Sequence, residues 1–309
     1  MRTPRSFTWL LLVAFLSLAG CDETVNPFVG LEEPYSLYGY LNPRVSRQTL
    51  RVIPIEQRID NEPSASIDAV VSSTHLASGE VTTWRSTFVQ FDDSTFGNVF
   101  VGDFRPAYGE TYRVDVSRSD GATASAQVTV PVDIRILPEP NASPTVLSFI
   151  VESTSLPNIV QADMLYDTVR LQPLASGLNP IRYPITRSYR GQEEAGDGGW
   201  RFFIEIGADY QFIKNEFEAH CLTRDWIGVR AMRFTVFIGD DAWVPPGGDF
   251  DPEVLAQPDL FSNVENGFGY VGAGYPVSFN AIQPAAVLGA VGFATTGPCD
   301  PARTPLTDP

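Results

Sequence analysis

Short runs of alternating apolar and polar residues fill the chain from Tyr35 onward, and turn-forming Gly, Pro, Asn and Asp residues separate them. Alternation with a period of two predicts half-buried β-strands, because successive side chains of a strand point to opposite faces. Seven such strands at short spacing favour an antiparallel sandwich of two sheets. The strands predicted in this first part are Tyr35–Leu41, Leu50–Ile55, Ser66–Ser72, Thr82–Phe91, Phe96–Asp103, Thr111–Ser117 and Ala122–Val130.

The clearest hairpin turns at Asp120-Gly121, a dipeptide that favours tight turns between antiparallel strands. Tyr112 opens the first strand of this hairpin, three residues after Gly109. The arrangement resembles the tyrosine corner of immunoglobulin-like and fibronectin-like sandwiches. It predicts a structural role for Tyr112, with a buried ring and a hydroxyl bonded to upstream backbone. The second strand places on one face Ala122, Ala124, Ala126, Val128 and Val130.

A proline-rich stretch at residues 137–144 marks a boundary, and a different pattern follows it. Apolar residues at helical spacing predict one helix over Asp209–Cys221, and Gly- and Asp-rich composition predicts loops at 191–199 and 239–253. The strands predicted here are Val146–Val151, Thr168–Leu171, Trp200–Ile206 and Arg230–Ile238.

These patterns together predict an all-β protein. Residues 35–132 are expected to form an immunoglobulin-like or fibronectin-like sandwich. Residues 133–309 are expected to form a second, mostly β domain with one short helix.

The first 34 residues differ from the rest of the chain. Arg2 and Arg5 precede the apolar run Phe7–Ala19, which is the pattern of a secretory signal and is short for a membrane-spanning helix. The string Leu18-Ala19-Gly20-Cys21 resembles the lipobox of bacterial lipoproteins. The resemblance implies cleavage after residue 20, a thioether-linked diacylglycerol on Cys21 and acylation of the new amino terminus. The alternative is a plain signal peptide with an incidental cysteine.

Residues 21–34 are polar, acidic and without periodicity, which predicts a tether between lipid and folded body. Asp22 and Glu23 resemble sorting signals that direct some lipoproteins to the cell surface, although they equally suit a solvated linker. We expect a lipid-anchored protein of the outer membrane, with its side, periplasmic or external, left open.

The net charge of −16 limits the classes of molecule that the protein is expected to bind. Removing the two leader arginines leaves 19 basic and 37 acidic side chains, a net charge of −18. Such a body repels phosphate backbones and anionic headgroups, so nucleic acid is not expected as a partner. The membrane is expected to hold the protein through the lipid anchor instead.

Cys221 and Cys299 remain once Cys21 is lipidated. Export places both in an oxidising compartment, where two remaining thiols usually pair, so we predict a disulfide between them. Two buried free thiols and a metal site are the alternatives. A zinc site has little support, because the chain contains no C-x-x-C and His220 alone lies beside either cysteine.

Two motifs carry a family resemblance. The first is Pro106 followed by Gly109-Glu110-Thr111-Tyr112, and the second is Ser262-Asn263-Val264 followed by Gly267 and Gly269. With the lipobox, they resemble the domain of unknown function 4249 family of bacterial outer-membrane-associated lipoproteins. The resemblance spans most of the mature chain, more loosely between about 140 and 230. It implies an immunoglobulin-like first domain and an association with TonB-dependent outer-membrane transport.

The second motif has a physical interpretation of its own. Asn266-Gly267 suits a turn with positive φ, and Gly269 and Gly272 permit close backbone packing beside aromatic residues. A tight structural hairpin is favoured over a ligand loop.

Candidate chemistry is sparse along the chain. The sequence contains no G-x-S-x-G elbow, no P-loop and no H-E-x-x-H, so no cofactor, no metal and no catalytic residue is predicted. A solvated acidic loop is favoured over an irregular calcium site. Trp243, in a Pro/Gly loop, is the candidate ligand contact, with a folded-back, loop-pinning role as its alternative. The acids of this loop are Asp240, Asp241, Asp249 and Asp251.

We therefore expect a non-enzymatic binding or accessory module held at the envelope by lipid, with an outer-membrane transporter as the partner that the family resemblance implies. The alternative is an anchored hydrolase of glycans or peptides that uses two carboxylates the sequence does not identify.

Overall fold

A computed structural model describes residues 34–55, 66–91, 96–140, 143–174, 177–189, 193–195, 199–219, 227–241, 243 and 262–295. The predicted all-β fold is confirmed, with strands in three sheets and two short helices. Neither helix in these ranges combines the length and the apolar character that crossing a bilayer requires.

The first domain is a sandwich of two antiparallel layers. One layer has the strand order β1-β2-β6-β5. The other has the order β16-β8-β7-β3-β4, in which β16 is the two-residue strand Val264–Glu265. With the first eight strands lettered A, B, C, C′, D, E, F and G, these layers are A-B-E-D and G-F-C-C′, the immunoglobulin-type arrangement that the sequence predicts. The strands are β1 Tyr35–Leu41, β2 Gln48–Pro54, β3 Val70–His75, β4 Val81–Thr83, β5 Arg85–Gln90, β6 Phe96–Gly102, β7 Thr111–Ser117 and β8 Thr123–Thr129.

Tyr112 forms the predicted tyrosine corner. Its side chain is buried, and its hydroxyl accepts a hydrogen bond from the Ala107 backbone N–H at 3.0 Å. The predicted inward face of β8 is confirmed too, since Ala124, Ala126 and Val128 are buried. Alternation was sufficient for the inward face of β8, because one face of the strand must cover the core. The role of Tyr112 was indicated by its spacing from Gly109.

The second domain packs two layers around an aromatic core. The layer β13-β14-β10-β9 faces the antiparallel layer β12-β11-β15-β17. Phe149 stacks on Phe234 with ring centroids 4.8 Å apart, and Phe202 lies 5.2 Å from Phe234. The elements are β9 Ile134–Glu139, β10 Val146–Ser153, β11 Asn158–Leu174, β12 Gly177–Ser188, β13 Glu193–Ala195, β14 Gly199–Glu205, α1 Ile206–Ala219, β15 Ile227–Gly239, β16 Val264–Glu265, β17 Phe268–Ala281 and α2 Ala285–Val291.

Strand β17 joins the two domains into one sheet. Its first half pairs in parallel with β1, and its second half pairs antiparallel with β15. The result is an eight-stranded sheet of order β12-β11-β15-β17-β1-β2-β6-β5. Two hydrophobic cores lie under it, and Val264, Val271 and Ala273 from the end of the chain belong to the first of them.

The Ser-Asn-Val segment makes this connection possible. The Asn263 side chain accepts from the Val271 N–H at 2.9 Å and donates to the Val271 carbonyl at 2.6 Å. Asn266 has the predicted positive φ, 53°. The predicted hairpin is wrong in its pairing, however, since β16 pairs with β8 whereas β17 pairs with β1 and β15. The turn carries the chain from one layer of the sandwich to the other.

Several predicted boundaries are corrected by tertiary pairing. Thr82–Phe91 is two strands, because Trp84 enters the first core and the chain changes layer there. The proline-rich boundary contains strand β9, which tolerates Pro138 because it lies at a sheet edge. The predicted loop at 191–199 contains β13. Helix α1 begins at Ile206, and α2 is too short to leave a periodic signal.

Candidate functional site

The predicted site residues divide into two groups. Cys21, Cys221 and Cys299 lie outside the described residues, as do the leader and nearly all of the tether, so the lipid anchor and the disulfide stay predictions. Asp249, Asp251 and His220 lie outside them too. Trp243, Asp240 and Asp241 are described, and they follow strand β15.

Trp243 folds back onto the outer face of the eight-stranded sheet. Its ring centroid lies 5.1 Å from that of Phe237, 5.9 Å from that of Tyr40 and 5.9 Å from that of Tyr270. These residues come from β1, β15 and β17, so the group forms where the two domains join. The pairs with Tyr40 and Tyr270 are edge-to-face and the pair with Phe237 is tilted, and aromatic rings packed at these distances hold one another in place. The loop-pinning interpretation of Trp243 is the one that this packing supports.

Two glycines of β17 form the floor beneath these rings. A Cβ atom at Gly272 would lie 2.6 Å from the Tyr270 ring, and one at Gly274 would lie 2.7 Å from the Phe237 ring. Any side chain there would lift the aromatic rings from the sheet. The predicted role of Gly272, close packing beside aromatics, is confirmed.

Asp240 ties the start of this loop to the sheet. Its carboxylate accepts from the Ala273 N–H at 2.7 Å and from the Tyr270 hydroxyl at 3.1 Å, and its carbonyl accepts from the Trp243 N–H at 3.0 Å. Burial raises the pKa of Asp240 above its ordinary value, and burial beside Asp240 raises the pKa of Tyr270.

The expectation of a solvated acidic loop is therefore wrong for Asp240, which is 6% exposed, while Asp241 is exposed. Asp240 serves as a structural acceptor for backbone and tyrosine donors. Within the described ranges, no three His, Cys, Asp or Glu side chains gather in a way that could hold a metal ion.

Two tyrosines extend the aromatic group into solvent. Tyr38 and Tyr40 are each 44% exposed, whereas Leu37 and Leu41 on the opposite face of β1 are buried. Tyr38 lies beside Tyr270 in the parallel β1–β17 register. We call the set Tyr38, Tyr40, Phe237, Trp243 and Tyr270 the aromatic face.

Sequence reasoning found Trp243 and missed its partners. Tyr38 and Tyr40 occupy the outward positions of an alternating strand, a signal that was present in the sequence. Their proximity to Tyr270 depends on the pairing of β1 with β17, which are more than 200 residues apart and have no local signature.

A buried polar network in the second domain is a further candidate. The Asp209 carboxylate accepts hydrogen bonds from the hydroxyls of Tyr166 and Tyr189 and from the Arg187 guanidinium. Asp209 is 1% exposed, and burial raises its pKa. The network fixes the start of α1 against β11 and β12, so its role is structural.

Two surface pockets lie among the described residues. One, of about 600 Å³, is lined by Pro43, Arg44 and Arg105–Tyr108. The other, of about 410 Å³, lies between β9, β10 and the end of β17 and includes Glu139. Arg201 and Ser148 hydrogen-bond Glu139 and hold the pKa of its carboxyl below the ordinary value. Among the residues that line these two cavities, no two carboxylates face each other as a hydrolase pair would.

Comparison with protein-family models finds no matching family, and comparison with curated proteins finds no match.

Proposed function

We propose that this protein is a lipid-anchored envelope lipoprotein that binds a partner protein through its aromatic face, without catalysis of its own. The observation that carries the proposal is the pair of solvent-exposed tyrosines, Tyr38 and Tyr40, on an ordered aromatic base. The resemblance to the domain of unknown function 4249 family supports an outer-membrane transporter as that partner.

The chemistry of the aromatic face suits protein recognition. Tyr and Trp are enriched at interfaces because they bury a large area at a small cost in side-chain entropy. Here β1 is central in its sheet, flanked by β2 and β17, so little further ordering is needed on binding. The register partner of Tyr38 on β2 is Arg51, whose guanidinium lies over the Phe91 ring at 4.6 Å. A polar and cationic margin beside an aromatic centre is typical of binding surfaces.

The anchor supports the same function. A diacylated or triacylated Cys21 would hold the body durably at the membrane, because two or three chains bury far more methylene groups than one. The acidic tether would keep the body away from anionic headgroups. The aromatic face would then meet partners in the envelope at high effective concentration.

The test is affinity capture of the full-length lipidated protein from detergent-solubilised membranes, comparing wild type with Tyr38→Ala/Tyr40→Ala. We expect wild type to capture a defined envelope protein. The double variant should capture at least about tenfold less of that protein, because removing interface tyrosines typically weakens binding by this amount. The matched control is Val81→Ala, an apolar residue 60% exposed on the other layer of the sandwich. Equal retention by the double variant and the control would refute the proposal.

A further inference from the structure

An open surface pocket beside the junction of the two domains carries two arginines of a strongly acidic protein. It is formed by the β1–β2 connection, which carries Arg44, and the β6–β7 connection, which carries Arg105. The described residues that line it include no carboxylate. We call it the junction cavity.

Arg44 is held in position from the second domain. Its guanidinium carbon lies 5.1 Å from the centre of the Tyr275 ring, within cation–π range. Its Nη2 atom lies 3.8 Å from Asp133 Oδ1, a long contact between exposed groups that leaves most of the guanidinium donors available. The Tyr275 ring also packs against Tyr108, with centroids 5.3 Å apart.

Arg105 is exposed on the other connection and pairs with no carboxylate among the described residues. Its neighbours differ, since Arg47 and Arg85 both contact Asp103. An exposed guanidinium without a carboxylate partner keeps its hydrogen-bond donors available to an anion.

A buried glutamine fastens the two connections together. Gln48 is 1% exposed, and its amide nitrogen lies 3.1 Å from the Asn42 carbonyl, 2.9 Å from that of Val45 and 3.2 Å from that of Phe104. Its amide oxygen accepts from the Asn42 N–H at 2.8 Å. One side chain thus sets the relative position of the loops that carry the two arginines.

The remaining walls are rigid and apolar. Pro43 and Pro106 are buried and have a fixed φ, and the Tyr112 hydroxyl holds the Ala107 N–H. The Tyr108 ring forms a further wall. Two cationic donors thus lie above proline and tyrosine surfaces in an open pocket of about 600 Å³, a volume within the range of small-ligand sites.

We propose that the junction cavity binds a small organic anion, a compact ring bearing a carboxylate or a phosphate, through the guanidinium groups of Arg44 and Arg105. Guanidinium forks bind both oxyanions in the same planar geometry. The ring packs against Tyr108 and the two prolines. The junction cavity shares no residue with the aromatic face, so a test of anion binding is independent of a test of the proposed partner binding.

Isothermal titration calorimetry of the full-length protein tests the site. Glucuronate and glucose 6-phosphate distinguish a carboxylate from a phosphate ligand, and glucose serves as the neutral control. We expect one or both anions to bind with a dissociation constant below about 1 mM, and the affinity to fall as salt rises. Arg105→Gln should weaken binding by about tenfold or more, the usual worth of a charged hydrogen bond.

The matched control is Arg47→Gln, which removes an exposed arginine of the β1–β2 connection that does not line the cavity. It should leave the affinity unchanged. Because Arg105 is exposed, its substitution should not alter the thermal midpoint, and that midpoint is measured alongside. Absence of binding by both anions at about 10 mM, equal binding of glucose, or unchanged affinity in Arg105→Gln would each overturn the proposal.

Discussion

Asp240 connects a pKa shift to the geometry of the aromatic face. Its carboxylate is buried and accepts hydrogen bonds from Ala273 and Tyr270, and its backbone carbonyl holds Trp243. Burial outweighs these hydrogen bonds, so the pKa of Asp240 in the folded protein lies above the ordinary value of 3.8. A carboxyl with a raised pKa binds its proton more tightly in the folded state than in the unfolded state.

This difference predicts a pH dependence with a definite sign. The contribution of Asp240 to the free energy of unfolding should be largest at and below pH 3.8, and should fall as the pH rises through the higher folded-state pKa. Urea denaturation of wild type and Asp240→Asn across this range measures it, because groups common to both proteins cancel in the difference. Wild type should lose stability relative to the variant as pH rises, and a relative gain would contradict the assignment.

At the scale of elements, the β1–β17 pairing depends on Gly269. This residue has a φ of 98°, and a Cβ atom there would overlap the Leu37 carbonyl oxygen. Both conditions exclude an ordinary side chain, since left-handed backbone and close approach each favour glycine. Gly79 supplies a comparison, with a φ of 74° and no atom within 4 Å of the same Cβ position.

Replacement of these glycines should separate backbone strain from steric overlap. Gly79→Ala should lower the free energy of unfolding by about 1 kcal/mol, the cost of positive φ alone, and Gly269→Ala by about 3 kcal/mol or more. Chemical denaturation of the two variants provides the measurement. Equal losses would show that β17 does not approach β1 as closely as described.

The elements also show what the sequence could predict. Tyr35–Leu41 and Thr111–Ser117 have the predicted bounds, because alternation and turn residues act locally. Strands β11 and β12 were largely missed, since their prolines and polar residues carry no clear period. The aromatic face was found at Trp243 alone, because the strands that carry its other rings meet through long-range pairing. Local sequence patterns do not indicate which distant strands pair with one another.

At the scale of the whole molecule, one sheet crosses both hydrophobic cores. Strand β17 supplies Val271 and Ala273 to the first core, and Tyr275 and Val277 to the second. Separating the domains would break the β1–β17 pairing and part Tyr40 from Phe237 and Trp243 in the aromatic face. The free energy of each core therefore depends on the presence of the other.

This coupling predicts one cooperative unfolding transition. Differential scanning calorimetry should give a calorimetric enthalpy equal to the van't Hoff enthalpy for the entire folded body. Gly269→Ala, in the connecting strand, should move the whole transition to lower temperature. Two resolved transitions in the wild-type protein would contradict the coupling.

The proposed function rests on an acidic two-domain body held to a membrane by lipid, and mass spectrometry of the amino-terminal peptide of the native protein tests that most directly. The predicted result is a mature chain that begins at Cys21, with a diacylglyceryl thioether on the sulfur and an acyl group on the amino nitrogen. A free thiol at Cys21, or a mature chain that begins at another residue, would contradict the account.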